Sequence, residues 1–349
     1  MATDKRGKFF QLDMNKFAKA CDLGLYPAIA YLTVACGVQR GTDLSTWSVN
    51  AVEKWAGIGR PRAQRAMAEL KRQHMIVAAN YTVGRRTHKA WQLPASKEPD
   101  WAYLPNTFIT SATTETAPIE RLRKLGSIEA IRMIIQIYHL QDLPASGGLD
   151  WSYVHGDYDR ELITERGRFK IYGWNYKGLF APAESRLRNQ FGRHTELTNN
   201  RFFATITALV DLGLVEWVRM LIERQDPDAE IVFPCADIGS GTEIERELYL
   251  TAHETAEALI GDNGQKYQLD SFDVVAPIPD DLPDVAAINV LRTRYRAHTA
   301  RQFAWGAELH KYDALIDDLR EIAFRAEAGT ALMPKAQNST NVQLQGYSK

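Results

Sequence analysis

Cysteine is scarce in this 349-residue chain, which has only Cys21, Cys36 and Cys235. Three scattered cysteines cannot form a disulfide framework, so a small disulfide-stapled secreted fold is excluded. No stretch reaches the roughly 18 apolar residues of a membrane span. The opening sequence MATDKRGKFF is not followed by the apolar run of a secretory signal. We therefore expect a globular cytoplasmic protein of two or three domains, with no membrane partner.

Motifs for several kinds of chemistry are also missing. The eight histidines fit no H-x-H or H-E-x-x-H metal spacing, and no C-x-x-C pair occurs. Neither a G-x-x-x-x-G-K-[ST] phosphate loop nor a G-x-S-x-G nucleophile turn is present. One acidic cluster could hold a divalent cation, as a nuclease requires; its members are His155, Asp157, Asp159, Glu161 and Glu165. Because no nucleophile accompanies the cluster, we predict a protein that is not an enzyme and uses neither metal nor cofactor.

Neither sign of charge dominates, since 42 basic residues face 43 acidic ones. The charges are nevertheless unevenly distributed. Residues 1–100 hold 16 basic and 8 acidic side chains, residues 101–220 hold 14 and 13, and residues 221–349 hold 12 and 22. A basic N-terminal third is expected if that part of the chain meets phosphates, whereas the acidic C-terminal third argues against coating DNA along the full length.

The most informative stretch is residues 47–93, where patterns for helix, turn, helix and hairpin follow one another. Ser48 suits the N-cap of the first helix, and Pro61 suits the first turn of the second. Between these helices, Gly57 and Gly59 flank Ile58, which indicates a short turn with one buried anchor. This order of elements is one way of placing a helix in a DNA major groove with a loop beside it on the backbone.

The second helix of the stretch has one apolar and one polar face. The apolar positions are Ala63, Ala66, Met67 and Leu70. The predicted contacts to base edges or flanking phosphates are Arg60, Arg62, Gln64, Arg65 and Arg72. Two strands, 77–83 and 86–93, then turn near Gly84 and Arg85. The predicted contacts of this turn to the minor groove or the DNA backbone are Arg85, Arg86 and Lys89.

Residues 24–93 resemble a winged-helix domain of the kind found in bacterial transcription regulators. The resemblance rests on WSV at 47–49, on GIGRPR at 57–62, on Leu70 near the end of the second helix, and on Met75-Ile76 before the hairpin. It covers about a fifth of the chain. The resemblance implies that the basic helix reads DNA and that the hairpin is the wing, although a minority of such domains bind proteins instead.

A weak internal repeat predicts a second unit of the same kind. LGLYPAIA at 23–30 is echoed by LGSIEAIR at 125–132, and a Trp-Ser pair follows each copy. After an insertion at 153–178, the predicted elements are helices over 184–191 and 199–212 and a second wing over 215–222 and 231–233, which turns at 225–228. Tandem winged helices resemble plasmid replication initiator proteins, which bind repeated origin DNA.

The second unit has its own candidate DNA contacts, which are Arg193, Asn199, Asn200 and Arg201. Asn pairs with adenine and Arg with guanine in the major groove. The alternative interpretation of Asn199 is a helix cap, with Arg201 beside it by chance.

The C-terminal third predicts helices. Thr242 and Glu245 form a capping-box pattern ahead of a helix to about residue 260, and Asp284 would cap a long helix through about Ala328. Apolar residues recur along that helix at spacings of four and three: Trp305, Leu309, Tyr312, Ile316, Leu319, Ala323 and Ala326. This heptad pattern fits a helix packed on its own domain, and it equally fits a homodimer formed through residues 305–326. Residues 329–349 are polar and predict a flexible tail.

Together these patterns predict a mainly α fold with small β-hairpin wings, an α+β class. The predicted order is a winged-helix domain over 1–98, a second one over 99–236, and a helical region over 237–328. The predicted function is sequence-specific binding of double-stranded DNA in a bacterium or mobile element, as a replication initiator or a transcription regulator. The alternative is a winged-helix scaffold protein whose basic face pairs with an acidic protein partner or with its own acidic C-terminal third.

Overall fold

The computed structural model describes residues 8–83, 85–111, 116–142, 146–189, 191, 196–223, 229–237, 239–261, 269–282 and 284–329. Up to residue 111 the elements are β1 (Phe9–Asp13), α1 (Met14–Asp22), α2 (Leu25–Cys36), β2 (Leu44–Ser45), α3 (Val49–Ala56), α4 (Arg60–Arg72), β3 (Val77–Val83), β4 (Arg86–Gln92), β5 (Trp101–Pro105) and α5 (Thr107–Thr110).

The middle of the chain contributes α6 (Pro118–Leu125), α7 (Ile128–Leu140), β6 (Gln141–Asp142), β7 (Gly148–Leu149), β8 (His155–Arg166), β9 (Phe169–Phe180), α8 (Arg186–Asn189) and α9 (Glu196–Asp211). The last part contributes β10 (Val215–Ile222), β11 (Ile231–Cys235), α10 (Glu243–Ile260), β12 (Val274–Pro279), β13 (Ala286–Thr293), α11 (Ala300–Glu308) and α12 (Asp313–Glu327). Short 3-10 turns lie at Leu269–Ser271 and Leu309–Tyr312.

The helices and hairpin predicted within residues 47–93 are confirmed. Ser48 occupies the N-cap position of α3, although its side chain makes no capping hydrogen bond. Gly57 ends α3 in the left-handed conformation with φ +62°, which favours glycine, and Ile58 is buried with 2% of its surface exposed. The apolar residues of α4 pack into the core beside α2 and α3, and β2 joins the hairpin to give a three-stranded sheet in the order β2-β4-β3.

Strand pairing crosses the predicted boundary at residue 98. β1 and β5 form an antiparallel two-stranded sheet in which Phe10 lies opposite Leu104 and Leu12 lies opposite Ala102. All four side chains are buried in one hydrophobic core that also contains residues of α2, α4, α7 and α9. The N-terminal unit therefore shares its core with later parts of the chain.

The predicted fold class, two winged-helix domains followed by a helical C-terminal region, is wrong. Of the described residues, about 47% are helical and 27% are in strands, and the largest feature is a barrel-like, six-stranded antiparallel sheet. The strand order is β11-β10-β13-β8-β9-β12. Helix α10 contacts both edge strands, β11 and β12, so it lies across the gap between the two edges of the sheet.

The predicted second wing is an inner part of this sheet. β10 has the predicted bounds, but it pairs with β11 on one side and along all eight of its residues with β13 on the other. Leu221 faces the core that contains α10, whereas Met220 and Ile222 pack with Ile288 and Val290 on the opposite face. A wing needs an exposed face, and β10 has both faces covered. The predicted turn at 225–228 lies outside the described residues.

The stretch at 153–178, expected to be an insertion, supplies two further strands of the sheet. β8 and β9 form a long hairpin that turns at Gly167, whose φ of +59° suits glycine. Phe169 and Ile171 are buried in one core, and Tyr172 and Trp174 are buried in another. The hairpin therefore contributes buried side chains to two hydrophobic cores of the molecule.

The long helix predicted from Asp284 to Ala328 is also wrong. Residues 286–293 form β13 instead, because this short apolar run pairs with β10 along its whole length. A helix is recovered only in α11 and α12, which a 3-10 turn separates. The expectation for the tail falls mainly on residues 330–349, which lie outside the described residues.

The heptad positions of α11 and α12 are occupied by contacts within the chain. Trp305, Leu309, Tyr312, Ile316 and Leu319 are buried in the core that α10 and the six-stranded sheet form. The homodimer through residues 305–326 stays a prediction, and these five side chains would not be available to it. None of the described helices combines the length and apolar character needed to cross a bilayer.

Candidate nucleic-acid interface

Helix α4 presents a polar face to solvent because its apolar residues all lie on the opposite side. Gly59 is its N-cap and Pro61 lies in its first turn, where the missing N–H has no helical partner to lose. The 13 residues of α4 span roughly 20 Å at 1.5 Å per residue. The exposed residues on its solvent side are Arg60, Pro61, Arg62, Gln64, Arg65, Ala68, Lys71 and Arg72.

Two of the arginines are held by neighbouring helices. The Nη1 of Arg60 donates to Oδ1 of Asn50 at 3.0 Å and to Oε2 of Glu53 at 3.3 Å, so Arg60 joins α4 to α3. The Arg62 guanidinium carbon lies 5.5 Å from the centre of the Tyr26 ring, and Nη1 is 3.5 Å from the Tyr26 hydroxyl. Both groups stay exposed, so these contacts orient them without covering them.

Three other polar side chains of α4 either form hydrogen bonds within the helix or form none to a described residue. Nη2 of Arg72 lies 2.6 Å from the Glu69 carboxylate, and these hydrogen bonds hold the pKa of Glu69 below its usual value. Among the described residues, the Nε of Arg65 reaches only the Pro61 carbonyl of the preceding turn, at 3.4 Å. Gln64 makes no hydrogen bond to any described residue. Arg65 and Gln64 are therefore the side chains most available to a ligand.

The β3–β4 hairpin adds a second group of cations. Tyr81 lies opposite His88 and Thr82 opposite Thr87, so residues 85–89 form the end of the hairpin, and all five are exposed. Side chains alternate along β4, which places Arg86 on one face and Lys89 on the other. Within the described part of the chain, Arg85, Arg86 and Lys89 form no ion pair.

We call the solvent side of α4 together with hairpin residues 85–89 the basic face. Between residues 54 and 96 the sequence has nine basic side chains and only one acidic one, Glu69. Sequence reasoning missed Lys71, which is exposed on α4 and lies seven residues after Gln64. Its helical spacing from Gln64 is a signal that could have found it.

The candidates in the second unit are largely occupied. Asn199 accepts a hydrogen bond from Arg188, and Arg201 forms an ion pair with Glu129 of α7. Asn200 is exposed, and Arg193 lies outside the described residues. The described residues at the start of α9 therefore offer no group of free cations comparable with the basic face.

The acidic cluster at 155–165 does not converge on a point. Its members lie along β8, which extends by roughly 3.3 Å per residue. His155 is 3.0 Å from Asp157, where Nε2 meets Oδ1. No three His, Cys, Asp or Glu side chains among the described residues come close enough together to hold a metal ion.

Comparison of the chain with protein-family models, with curated proteins and with solved structures gives no match. The geometry and charge of the basic face are therefore the features of this chain that bear on its function.

Proposed function

We propose that this chain is a sequence-specific double-stranded DNA-binding protein that acts in the bacterial cytoplasm, as a replication initiator or a transcription regulator. The single observation that carries the proposal is the basic face, in which an exposed helix surface and the exposed end of the hairpin that follows it in the chain both bear cations without an ion-pair partner among the described residues. Such a surface matches the polyanionic DNA backbone.

The two parts of the basic face have different roles in this proposal. Helix α4 lies in the major groove, which is about 12 Å wide and admits one α-helix. Gln64 and Arg65 read base edges there, since amide and guanidinium groups recognise adenine and guanine. Arg85, Arg86 and Lys89 contact the backbone or the adjacent minor groove and fix the register.

The ion pairs of the described residues indicate that the partner of the basic face is an external anion and not the chain's own acidic C-terminal third. Arg60 and Arg72 pair with nearby Glu53 and Glu69. Arg320 and Arg292 pair with Glu247 and Glu245 inside the C-terminal third. No ion pair among the described residues joins the basic face to residues 221–349.

The test is selection of the full-length protein against a random double-stranded DNA library at about 0.15 M salt, where non-specific contacts weaken. We expect one motif to be enriched. If nothing is enriched and the protein shows only salt-sensitive general binding or none, the scaffold alternative is supported and the proposal fails.

Variants then separate the two roles on the selected site. Arg65→Ala should lose roughly 1–3 kcal/mol and relax specificity at one position. Arg85→Ala with Arg86→Ala should weaken all sequences alike and reduce the salt slope by about one per cation. Arg166→Ala is the matched control, because Arg166 is exposed at the end of β8 and forms no ion pair with described residues. Wild-type binding by both test variants would exclude the basic face as the reader.

A further inference from the structure

A cavity of about 870 Å³ opens between β1, the end of α2 and the 38–43 loop. We call it the β1–α2 cavity. Leu93, Trp101 and His298 complete its wall. Its volume lies in the range of roughly 300–1,000 Å³ that is typical of small-molecule sites. It is separate from the basic face, since no residue of α4 or of the hairpin end lines it.

The wall of the β1–α2 cavity is mainly apolar and includes several aromatic rings. Phe9 of β1 and Trp101 of β5 both line it, and Trp101 keeps 37% of its surface exposed. Val38 and Leu93 contribute aliphatic surface. An aromatic ligand body would bury these side chains, which are otherwise left partly in water.

Tyr31 supplies a polar group deep in the cavity. Its side chain is only 3% exposed, yet its hydroxyl makes no hydrogen bond to a described residue. Tyr31 lines the cavity, so its hydroxyl is the candidate donor to a ligand there. Burial and the nearby Asp13 charge raise the pKa of Tyr31 far above its usual value, so the hydroxyl stays a hydrogen-bond donor.

The acidic groups of the cavity are already engaged. The Asp13 carboxylate accepts backbone hydrogen bonds from Asn15 at 3.0 Å and from Ser96 at 2.6 Å. Asp43 accepts from the Gln92 amide at 2.7 Å. By contrast, Lys8 and Arg40 are exposed cations at the rim that form no ion pair with described residues. The neutral donors leave the charges of Asp13 and Asp43 in place, so an anion would find its contacts at the N–H groups of Lys8 and Arg40, which form no ion pair with described residues.

We propose that the β1–α2 cavity binds a small aromatic anion. The aromatic body packs against Phe9 and Trp101, an acceptor atom takes the Tyr31 hydroxyl hydrogen, and the carboxylate, sulfonate or phosphate end lies at Lys8 and Arg40. Charged hydrogen bonds from a guanidinium suit each of these anionic ends.

The position of the cavity links it to the hairpin. The Leu93 amide donates to the Asp43 carbonyl at 2.9 Å, and Leu44 of β2 lies opposite Gln92 at the base of β4. A ligand that contacts Asp43 and Leu93 therefore touches the base of the strand whose far end carries Arg86. The ligand would change the DNA affinity only if it binds the DNA-free and DNA-bound arrangements of this strand unequally, and that part alone rests on the proposed function.

The probe for the site is 8-anilinonaphthalene-1-sulfonate, an aromatic anion whose fluorescence rises in apolar surroundings. We expect saturable binding of one molecule to the folded full-length chain. Arg40→Ala should raise the Kd at least fivefold and Arg40→Glu should raise it further, whereas Arg40→Lys restores part of the affinity. Tyr31→Phe should raise the Kd about threefold. Arg166→Ala is the control and should bind as wild type.

The neutral analogue N-phenyl-1-naphthylamine should bind more weakly and should not respond to Arg40→Ala. Circular dichroism and thermal unfolding establish that the Arg40 and Tyr31 variants are folded. Equal binding of the sulfonate probe by wild type, Arg40→Glu and Tyr31→Phe would overturn the site.

DNA binding forms a separate measurement. With the selected DNA, a Kd shift of threefold or more at saturating probe supports the link to the hairpin, and an unchanged Kd overturns that link. If the chain binds no DNA, the proposed function fails. The probe titration still shows whether the cavity binds an aromatic anion.

Discussion

Arg292 and Glu245 form a buried ion pair that ties distant segments together. Both side chains are at most 1% exposed, and Nη1 of Arg292 lies 2.6 Å from Oε1 of Glu245. The Nε of Arg292 also donates to the Ser146 carbonyl at 2.8 Å, and its guanidinium lies 5.0 Å from the Trp305 ring centre. Glu245 is at the same time the N3 partner of the Thr242 capping box on α10. The pair therefore connects β13, α10 and α11.

Removing one partner of this pair should be costly. Glu245→Gln leaves the buried Arg292 charge without a counter-ion, so we expect the free energy of unfolding to fall by roughly 3–5 kcal/mol. The matched control is Glu247→Gln, on the same helix as Glu245, which breaks an exposed pair with Arg320 of α12 and should cost less than about 1 kcal/mol. Urea unfolding followed by circular dichroism measures both, and equal losses would contradict the assignment.

The same pair sets a pH dependence. Burial alone would raise the pKa of Glu245, but the Arg292 charge and the hydrogen bonds from Thr242 and Arg292 outweigh burial and lower it. A lowered pKa in the folded state gives stability that is present above the unfolded pKa, about 4.3, and is lost as the pH falls through the folded value. Burial raises the pKa of Glu216, which contributes with the opposite sign. The difference between wild type and Glu245→Gln should therefore shrink as the pH falls below about 4.3.

For these residues the sequence predicts the helix cap but not the buried ion pair. The capping box of Thr242 and Glu245 is a three-residue pattern, and the structure confirms it. Arg292 falls within the predicted long helix from Asp284, but it lies in β13 and is buried against a partner 47 positions away in the chain. Helix caps can be predicted from a few neighbouring residues, whereas an ion pair between residues far apart in the chain has no local sequence pattern.

At the scale of elements, strand β10 shows that predicting a strand's first and last residues correctly does not predict its position in a sheet. Its predicted range was confirmed, yet it lies between β11 and β13 inside the large sheet. By contrast, β3 lies at an edge of the small sheet, paired only with β4. The apolar run of β10 fits either location, since periodicity reports a strand without naming its neighbours.

Proline substitution distinguishes these two strands. Leu221 lies opposite Phe233 on one side and Ala287 on the other, so Leu221→Pro should lower the free energy of unfolding by roughly 3 kcal/mol or more. Thr82→Pro, on the exposed edge strand β3, should cost much less. Thermal unfolding of the two variants provides the measurement. A small effect of Leu221→Pro would mean that β10 is not an inner strand.

At the scale of the whole molecule, one hydrophobic core joins parts that the sequence assigned to separate domains. It contains Phe10 of β1, Ile29 of α2, Ile134 of α7 and Leu291 of β13. Because these residues bury one another, the N-terminal unit and the six-stranded sheet should unfold together.

Leu291→Ala tests this cooperativity from the far end of the chain. Truncating a fully buried leucine should cost roughly 2–5 kcal/mol. Calorimetry should show one transition at a lower temperature, and amide hydrogen exchange in α2 should quicken along with exchange in β13. Two transitions, with exchange in α2 unchanged, would show that the predicted boundary near residue 98 separates independent units.

The sequence by itself determined the helix–turn–helix–hairpin order of residues 47–93, the apolar and basic sides of α4, and the concentration of positive charge in the first hundred residues. These features depend on caps, turns and helical spacing, which act within a few positions. Tertiary structure alone decided that residues 153–178 and 286–293 enter one sheet with β10, and that Phe9, Tyr31 and Arg40 surround a cavity. The physical reason is that strand pairing and burial join residues far apart in the chain, so no local pattern encodes which partners meet.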